Sequence, residues 1–142
     1  MKTRILLLFA LIFTVSFNMF GQGMEQEVSP IDKIQFWDGN NNYYVVLPFK
    51  INYSPVQPEE SSSGVYSGGK AKSNKMKEGD FEKLAEDVKK IYDNEKIRVE
   101  KRTKGSVKIQ IEHQNGLVEF VYIGPGKDAD KLEKMIKKRL GK

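Results

Sequence analysis

The chain has 142 residues, with 24 Lys and Arg against 19 Asp and Glu, a single histidine and no cysteine. That composition excludes disulfides, thiol catalysis, a lipid-modified cysteine and every cysteine-ligated metal site. Charges of both signs are interleaved along the chain, so nothing marks the one-sided basic stripe of a nucleic-acid binder.

The opening MKTRILLLFALIFTVSFNMFGQG sets Lys2 and Arg4 before an uncharged apolar run from Ile5 to Phe17, with Gly21 and Gly23 after it. This is the order of a secretory signal peptide over residues 1–23, cut after Gly21 to Gly23. The run is shorter than the roughly 20 residues a spanning helix needs, and GQGMEQE supplies no stop-transfer charge, so no integral membrane anchor is expected. Residues 24–142 are then one exported domain, periplasmic or secreted and not a lipoprotein. Loss of Lys2 and Arg4 leaves it only mildly basic.

IDKIQFWD puts Ile34 and Phe36 on one face of a strand. In YYVVLPFKINY the alternation of Tyr43, Val45, Leu47, Phe49, Ile51 and Tyr53 predicts one long strand. A tight turn at Asn40 and Asn41 pairs Phe36 with Val45 and Ile34 with Leu47, and sets Trp37 against Tyr44 on the outer face. DGNNN, Asp38 to Asn42, resembles half a calcium loop, but Tyr43 stands where glycine is needed and Phe49 where a bidentate acid is needed, which favours the turn.

Residues 54–77, rich in Pro, Ser, Gly and Lys, read as a long loop with a short edge strand near Tyr66. Within it, GVYSGGKA approaches the phosphate-loop pattern. It follows PEESSS rather than a buried strand, has Ala71 where the metal-binding hydroxyl belongs, and meets no helix before Gly79, so neither a nucleotide nor any other cofactor is expected.

EGDFEKLAEDVKKIYDN spaces Phe81, Leu84, Ala85, Val88, Ile91 and Tyr92 as one face of an amphipathic helix. Downstream, Ile97 to Val99 pairs with Ile109 and Ile111 across a Thr103–Gly105 loop. Asn115 and Gly116 form a two-residue turn that pairs His113 with Val118, Ile111 with Phe120 and Ile109 with Tyr122, the last four residues being core. That register sets Glu112 opposite Glu119, a carboxylate pair that a hydrolase would use, with Lys96 beside Glu112 and Glu100 beside Lys108 as ordinary surface charges. His113 falls at the rim of the core face in a structural role, without a second imidazole for a metal. KDADKLEKMIKKRLGK closes the chain as a second amphipathic helix, acids early and bases late.

The fold expected is α+β: an antiparallel sheet of about five strands, an N-terminal hairpin plus a three-stranded meander, with two helices on one face. Ser67, Gly68 and Gly69, the helix beginning near Phe81, SVKIQIEHQNGLVEF and KLEKMIKKRL follow an order that resembles emfourin, a small protein inhibitor of metallopeptidases. The resemblance runs from about Ser61 to the C-terminus and implies a binder rather than a catalyst; the N-terminal hairpin and signal depart from it, and no inhibitory residue is carried over. The function expected is therefore an exported, non-enzymatic binding or inhibitory protein with a protein partner, with carbohydrate binding and carboxylate-based hydrolysis as alternatives. Two surfaces are candidates. One is the loop segment Gly64, Tyr66, Ser67, Gly68, Gly69 and Lys70, either a partner contact or a linker; the other is the aromatic pair Trp37 and Tyr44, either a surface for a glycan or protein or a small second core beneath the long loop.

Overall fold

The computed structural model describes residues 29–141; the signal segment expected over 1–23 and its cleavage site lie outside the described residues. Seven strands form one antiparallel sheet: β1 Ile31–Trp37, β2 Tyr43–Leu47, β3 Lys50–Ser54, β4 Lys72–Lys75, β5 Arg98–Val99, β6 Val107–His113 and β7 Val118–Ile123. Their order across the sheet is β4-β3-β2-β1-β6-β7-β5. Helices α1, Asp80–Tyr92, and α2, Lys127–Leu140, pack on one face. The α+β class and the two amphipathic helices are as expected, but the strand count exceeds five.

The core is a layer of Ile34, Phe36, Tyr44, Val46, Ile51, Ile109, Ile111 and Ile123 from the sheet against Phe81, Leu84, Val88 and Ile91 of α1 and Leu132, Ile136 and Leu140 of α2. Acids occupy the first turn of each helix and bases the last, complementing the peptide dipoles. Arg98 donates from Nε and Nη2 to the Tyr92 carbonyl at 2.9 and 2.6 Å and lies over the Tyr92 ring, so it closes the C-terminal end of α1.

Both hairpins differ from the expected register by one residue, and for the same reason. At the first, Asp38 N–H donates to the Asn42 carbonyl at 3.0 Å and Asn41 adopts φ 71°, which makes a three-residue loop of Gly39 to Asn41. Phe36 therefore pairs with Tyr44 and Trp37 with Tyr43. At the second, His113 N–H donates to the Leu117 carbonyl at 2.9 Å and only Gly116 has positive φ, at 82°, whereas a two-residue type I′ turn needs it at both central residues. The pairs are Glu112 with Val118, Gln110 with Phe120 and Lys108 with Tyr122.

A one-residue slip carries every side chain of the second strand to the other face. Tyr44 and Val46 are buried where Tyr43, Val45 and Leu47 were expected, and on β7 the core residues are Val121 and Ile123, while Phe120 is 55% exposed. The long strand expected from Tyr43 to Tyr53 is in fact two strands, since Pro48 and Phe49 turn the chain so that Leu47 pairs with Lys50. Proline has no N–H for a ladder and favours such a turn. The turn restores Ile51 and Tyr53 to the core face and leaves Phe49 73% exposed.

The expected meander is also rearranged. β6 takes β1 as its second neighbour, pairing Ile111 with Ile34 and Ile109 with Phe36, while the two-residue β5 pairs outside β7 through Arg98–Ile123 and Val99–Tyr122. Lys96 is accordingly not the partner of Glu112, nor Glu100 of Lys108; Glu112 forms an ion pair with Lys33 of β1. The edge strand in the long loop is Lys72–Lys75, not a segment at Tyr66. It is tied to the end of α2 by Lys72 Nζ to the Gly141 carbonyl at 3.0 Å and Asn74 Nδ2 to the Arg139 carbonyl at 2.9 Å.

This register makes a paired prediction. Ile111→Ala should cost about 2 to 5 kcal/mol by opening a cavity, whereas Phe120→Ala should stay within about 0.5 kcal/mol of the parent; denaturant titration of both variants checks which face of the second hairpin is core.

Candidate functional site

The helices cover one face of the sheet, and alternation along the strands delivers Tyr43, Trp37, Lys108 and Tyr122 in one row across the other, with Gln35, Gln110 and Phe120 in the next. Trp37 and Tyr43 stack with ring centres 4.7 Å apart, and Lys108 Nζ stands 4.3 Å from the Trp37 ring and 5.0 Å from that of Phe120. Phe120 meets Tyr122 edge-on at 5.7 Å. The result is a ladder of rings bridged by one ammonium, a contact that strengthens as water is excluded. Tyr43 donates its hydroxyl to Gln35 Oε1 at 2.5 Å, and partial burial raises its pKa. Leu117 and Val118 extend the apolar surface at the hairpin end, both half exposed.

Of the aromatic pair expected on this face, Trp37 is there and Tyr44 is not. Tyr44 is fully buried, tilted against Phe36 and Tyr53, because the slipped register exchanges it with Tyr43. Trp37 has Tyr43 against it and Lys108 over its ring, which leaves it poorly placed as a flat platform for a sugar. Among the described residues no second core closes over the face; the long loop is tied instead to Asn42 at the end of the sheet. Lys108 and Phe120 were missed by the sequence reading, which spent Phe120 on the core and Lys108 on a solvated pair.

At that end a buried carboxylate organises three loops. Asp38 Oδ1 accepts from Asn40 N–H and Asn42 N–H, both at 2.9 Å, while Oδ2 accepts from Asn42 Nδ2 at 2.9 Å and lies 3.4 Å from the Tyr44 hydroxyl. Asn42 then holds the long loop: its Oδ1 accepts from Val56 N–H at 3.1 Å and its Nδ2 donates to the Tyr66 hydroxyl at 3.0 Å. Gly68 fits beneath, its carbonyl accepting from the Tyr53 hydroxyl at 2.5 Å; a Cβ there would sit 1.9 Å from Asn42 Oδ1, so only glycine is admitted. Arg102 Nη2 completes the set by donating to the Asp38 carbonyl at 2.7 Å.

The candidate contact loop is thus anchored in its middle. Tyr66 and Gly68 are tethered, Ser67 Oγ accepts from Gly69 N–H at 3.2 Å, and Gly64, Gly69 and Lys70 are exposed. Between this loop, the Gly39–Asn41 turn and the Arg102–Lys104 segment lies an open cleft of about 670 Å³. GVYSGGKA leads into β4 rather than into a helix, so its amides do not meet a helix N-terminus.

Glu112 and Glu119 do not form a carboxylate pair. They lie on opposite faces, Glu112 with Lys33 and Glu119 with its Oε2 3.5 Å from His113 Nε2, which removes the hydrolase geometry. His113 is buried beside the core, its Nδ1 2.6 Å from the Ser29 carbonyl; a carbonyl only accepts, so Nδ1 carries the proton. Among the described residues no cluster of three His, Asp or Glu is placed to hold a metal ion, and no helix is long and apolar enough to cross a membrane. No protein-family model, curated protein or solved structure matches the chain.

The buried phenols give a pH prediction. Burial, and secondarily the charge of Asp38, raises the pKa of Tyr44 and of Tyr53 above the ordinary phenol value of 10.0. A raised folded-state pKa means stability fully present below the unfolded value and lost as pH climbs past it, because the unfolded chain releases protons that the fold retains. Unfolding free energy should fall steeply above about pH 10, and Tyr44→Phe should flatten that fall, as read by denaturant titration across the alkaline range.

Proposed function

We propose that the protein is an exported, non-enzymatic binding module that holds a protein partner on the helix-free face of its sheet. The observation carrying this reading is the ladder of half-buried Trp37, Tyr43, Lys108 and Tyr122 with exposed Phe120, on the face opposite α1 and α2. Aromatic side chains supply large contact area at low entropic cost and are enriched at the centres of protein interfaces, where charged groups are sparse. Here a single ammonium sits among the rings, placed to meet a partner carboxylate or carbonyl as water leaves.

Neither sheet edge competes as the contact. β5 is two residues long, and β4 is an exposed strand that begins with Lys72 and ends with Lys75, with Lys72 and Asn74 tied to the end of α2. Short edges and lysines are the usual means of discouraging strand addition. Inhibition of a metallopeptidase, implied by the resemblance to emfourin, is one form that binding through this face would take. Carbohydrate stacking at Trp37 is the weaker reading, because Tyr43 and Lys108 already lie against that ring.

Phe120→Asp should lower affinity for a partner captured from the cognate exported proteome by at least about tenfold, or about 1.4 kcal/mol, with unchanged thermal stability. Excision of Ser62 to Lys70 should weaken capture much less. Equal capture by Phe120→Asp and the parent would remove the outer face from consideration.

A further inference from the structure

The cleft at the loop end of the sheet differs from the aromatic ladder in chemistry as well as in position. Arg102 and Lys104 supply two cations, and the one acid on its wall, Glu60, has Oε2 turned to the backbone N–H of Gln57 at 2.9 Å. Two cations thus face one wall carboxylate, with the buried Asp38 beside Arg102.

Arg102 is held for recognition rather than free on the surface. One nitrogen is fixed by the Asp38 carbonyl at 2.7 Å, and the other N–H groups of the guanidinium have no acceptor among the described residues. Burial lowers its pKa from the ordinary arginine value, opposed by Tyr122 and Asp38, yet arginine remains a cation at neutral pH. A fixed planar fork with spare donors matches a carboxylate in two-point fashion, and partial desolvation strengthens the match.

The remaining wall carries hydroxyls. Ser61, Ser62 and Ser63 line it in succession. Ser62 makes no hydrogen bond within the described residues, whereas Ser63 is engaged: its Oγ accepts from Val65 N–H and Tyr66 N–H at 3.4 and 3.3 Å and donates to Ser61 Oγ at 3.4 Å, the Ser61 proton going to the Pro58 carbonyl. Tyr66 stands beside them, 37% exposed, with its hydroxyl fixed by Asn42 and no ring or cation stacked on it among the described residues. An anchored ring beside polar hydroxyls is the arrangement that Trp37, with its neighbours in contact, does not offer.

We infer that this cleft binds an acidic saccharide, with the sugar carboxylate on the Arg102 fork, its hydroxyls against Ser62, and its ring on Tyr66. An acidic peptide would use the same cations, but the cleft presents no free strand edge to pair with a main chain, whereas a polyol uses all of its walls. The proposal does not depend on the outer face being a protein interface.

Amide and indole resonances followed during titration with galacturonate and hyaluronate tetrasaccharides test it, with neutral cellotetraose and inorganic sulfate as controls. At least one acidic saccharide should shift Ser62, Tyr66 and Arg102 while leaving the Trp37 indole unmoved. Arg102→Gln and Tyr66→Ala should each weaken binding by about tenfold. Because Arg102 also supports the Asp38 loop, Lys104→Ala serves as a second variant, expected to weaken binding about threefold at an unchanged melting temperature. Absence of binding by both acidic saccharides, equal binding of cellotetraose, equal shifts from sulfate, or shifts confined to Trp37 would each overturn the assignment.

Discussion

Asp38 is a carboxylate with no solvent exposure, and its partners are peptide and side-chain N–H groups and the Tyr44 hydroxyl rather than a paired side-chain cation. Three short hydrogen bonds to Asn40 and Asn42 offset part of the cost of taking that charge out of water. They also decide the length of the loop. With both Asn42 donors bound to Asp38, the turn closes on Gly39 to Asn41, and Phe36 must face Tyr44. The same Asn42 side chain then ties Val56 and Tyr66, so the course of the long loop is set by the group that sets the register of the sheet.

From that register the two faces acquire opposite characters. Tyr44 enters the core beside Phe36 and Tyr53, where a phenol is admissible because its hydroxyl lies near Asp38 Oδ2. Tyr43 is left outside to stack on Trp37. Had the loop been one residue shorter, Tyr43 would have entered the core away from that carboxylate, and Tyr44 would have taken its place beside Trp37 on the outer face. Local hydrogen bonding at one turn therefore decides which tyrosine of β2 stands beside Trp37 on the helix-free face.

Much of the architecture was legible in the sequence, because helical spacing from Phe81 to Tyr92 and from Leu132 to Leu140 has one solution, as does the alternation of Ile109 and Ile111. Loop length was not. Asn115 with Gly116 suits a two-residue turn and also the last two positions of a three-residue one, and only backbone φ at Asn115 distinguishes them. YYVVL is apolar on both faces, so alternation could not arbitrate which tyrosine was core. Pro48 was the available signal that one strand was two. The neighbour of β6 was hidden for a different reason: pairing Ile97–Val99 with Ile109–Ile111 is locally sensible, and the competing match with Ile34 and Phe36 spans more than seventy residues. Of the candidate surfaces, Gly68 was read as part of a partner contact or a linker, while its structural role is close approach beneath Asn42 and Tyr53.

The blunted edges bear on how this molecule can associate with anything. Strand-to-strand addition is open-ended, since each added strand exposes another edge, and a cysteine-free chain has no covalent means of stopping it. Here β5 is too short to template a neighbour, and β4 carries Lys72 and Lys75, with Lys72 and Asn74 engaged by the end of α2. The apolar surface lies on a face instead, and face-to-face contact closes when two bodies meet. Growth into fibres is thereby separated from recognition, and a chain with half-exposed Leu117, Val118 and Phe120 can present them without offering a route to propagation.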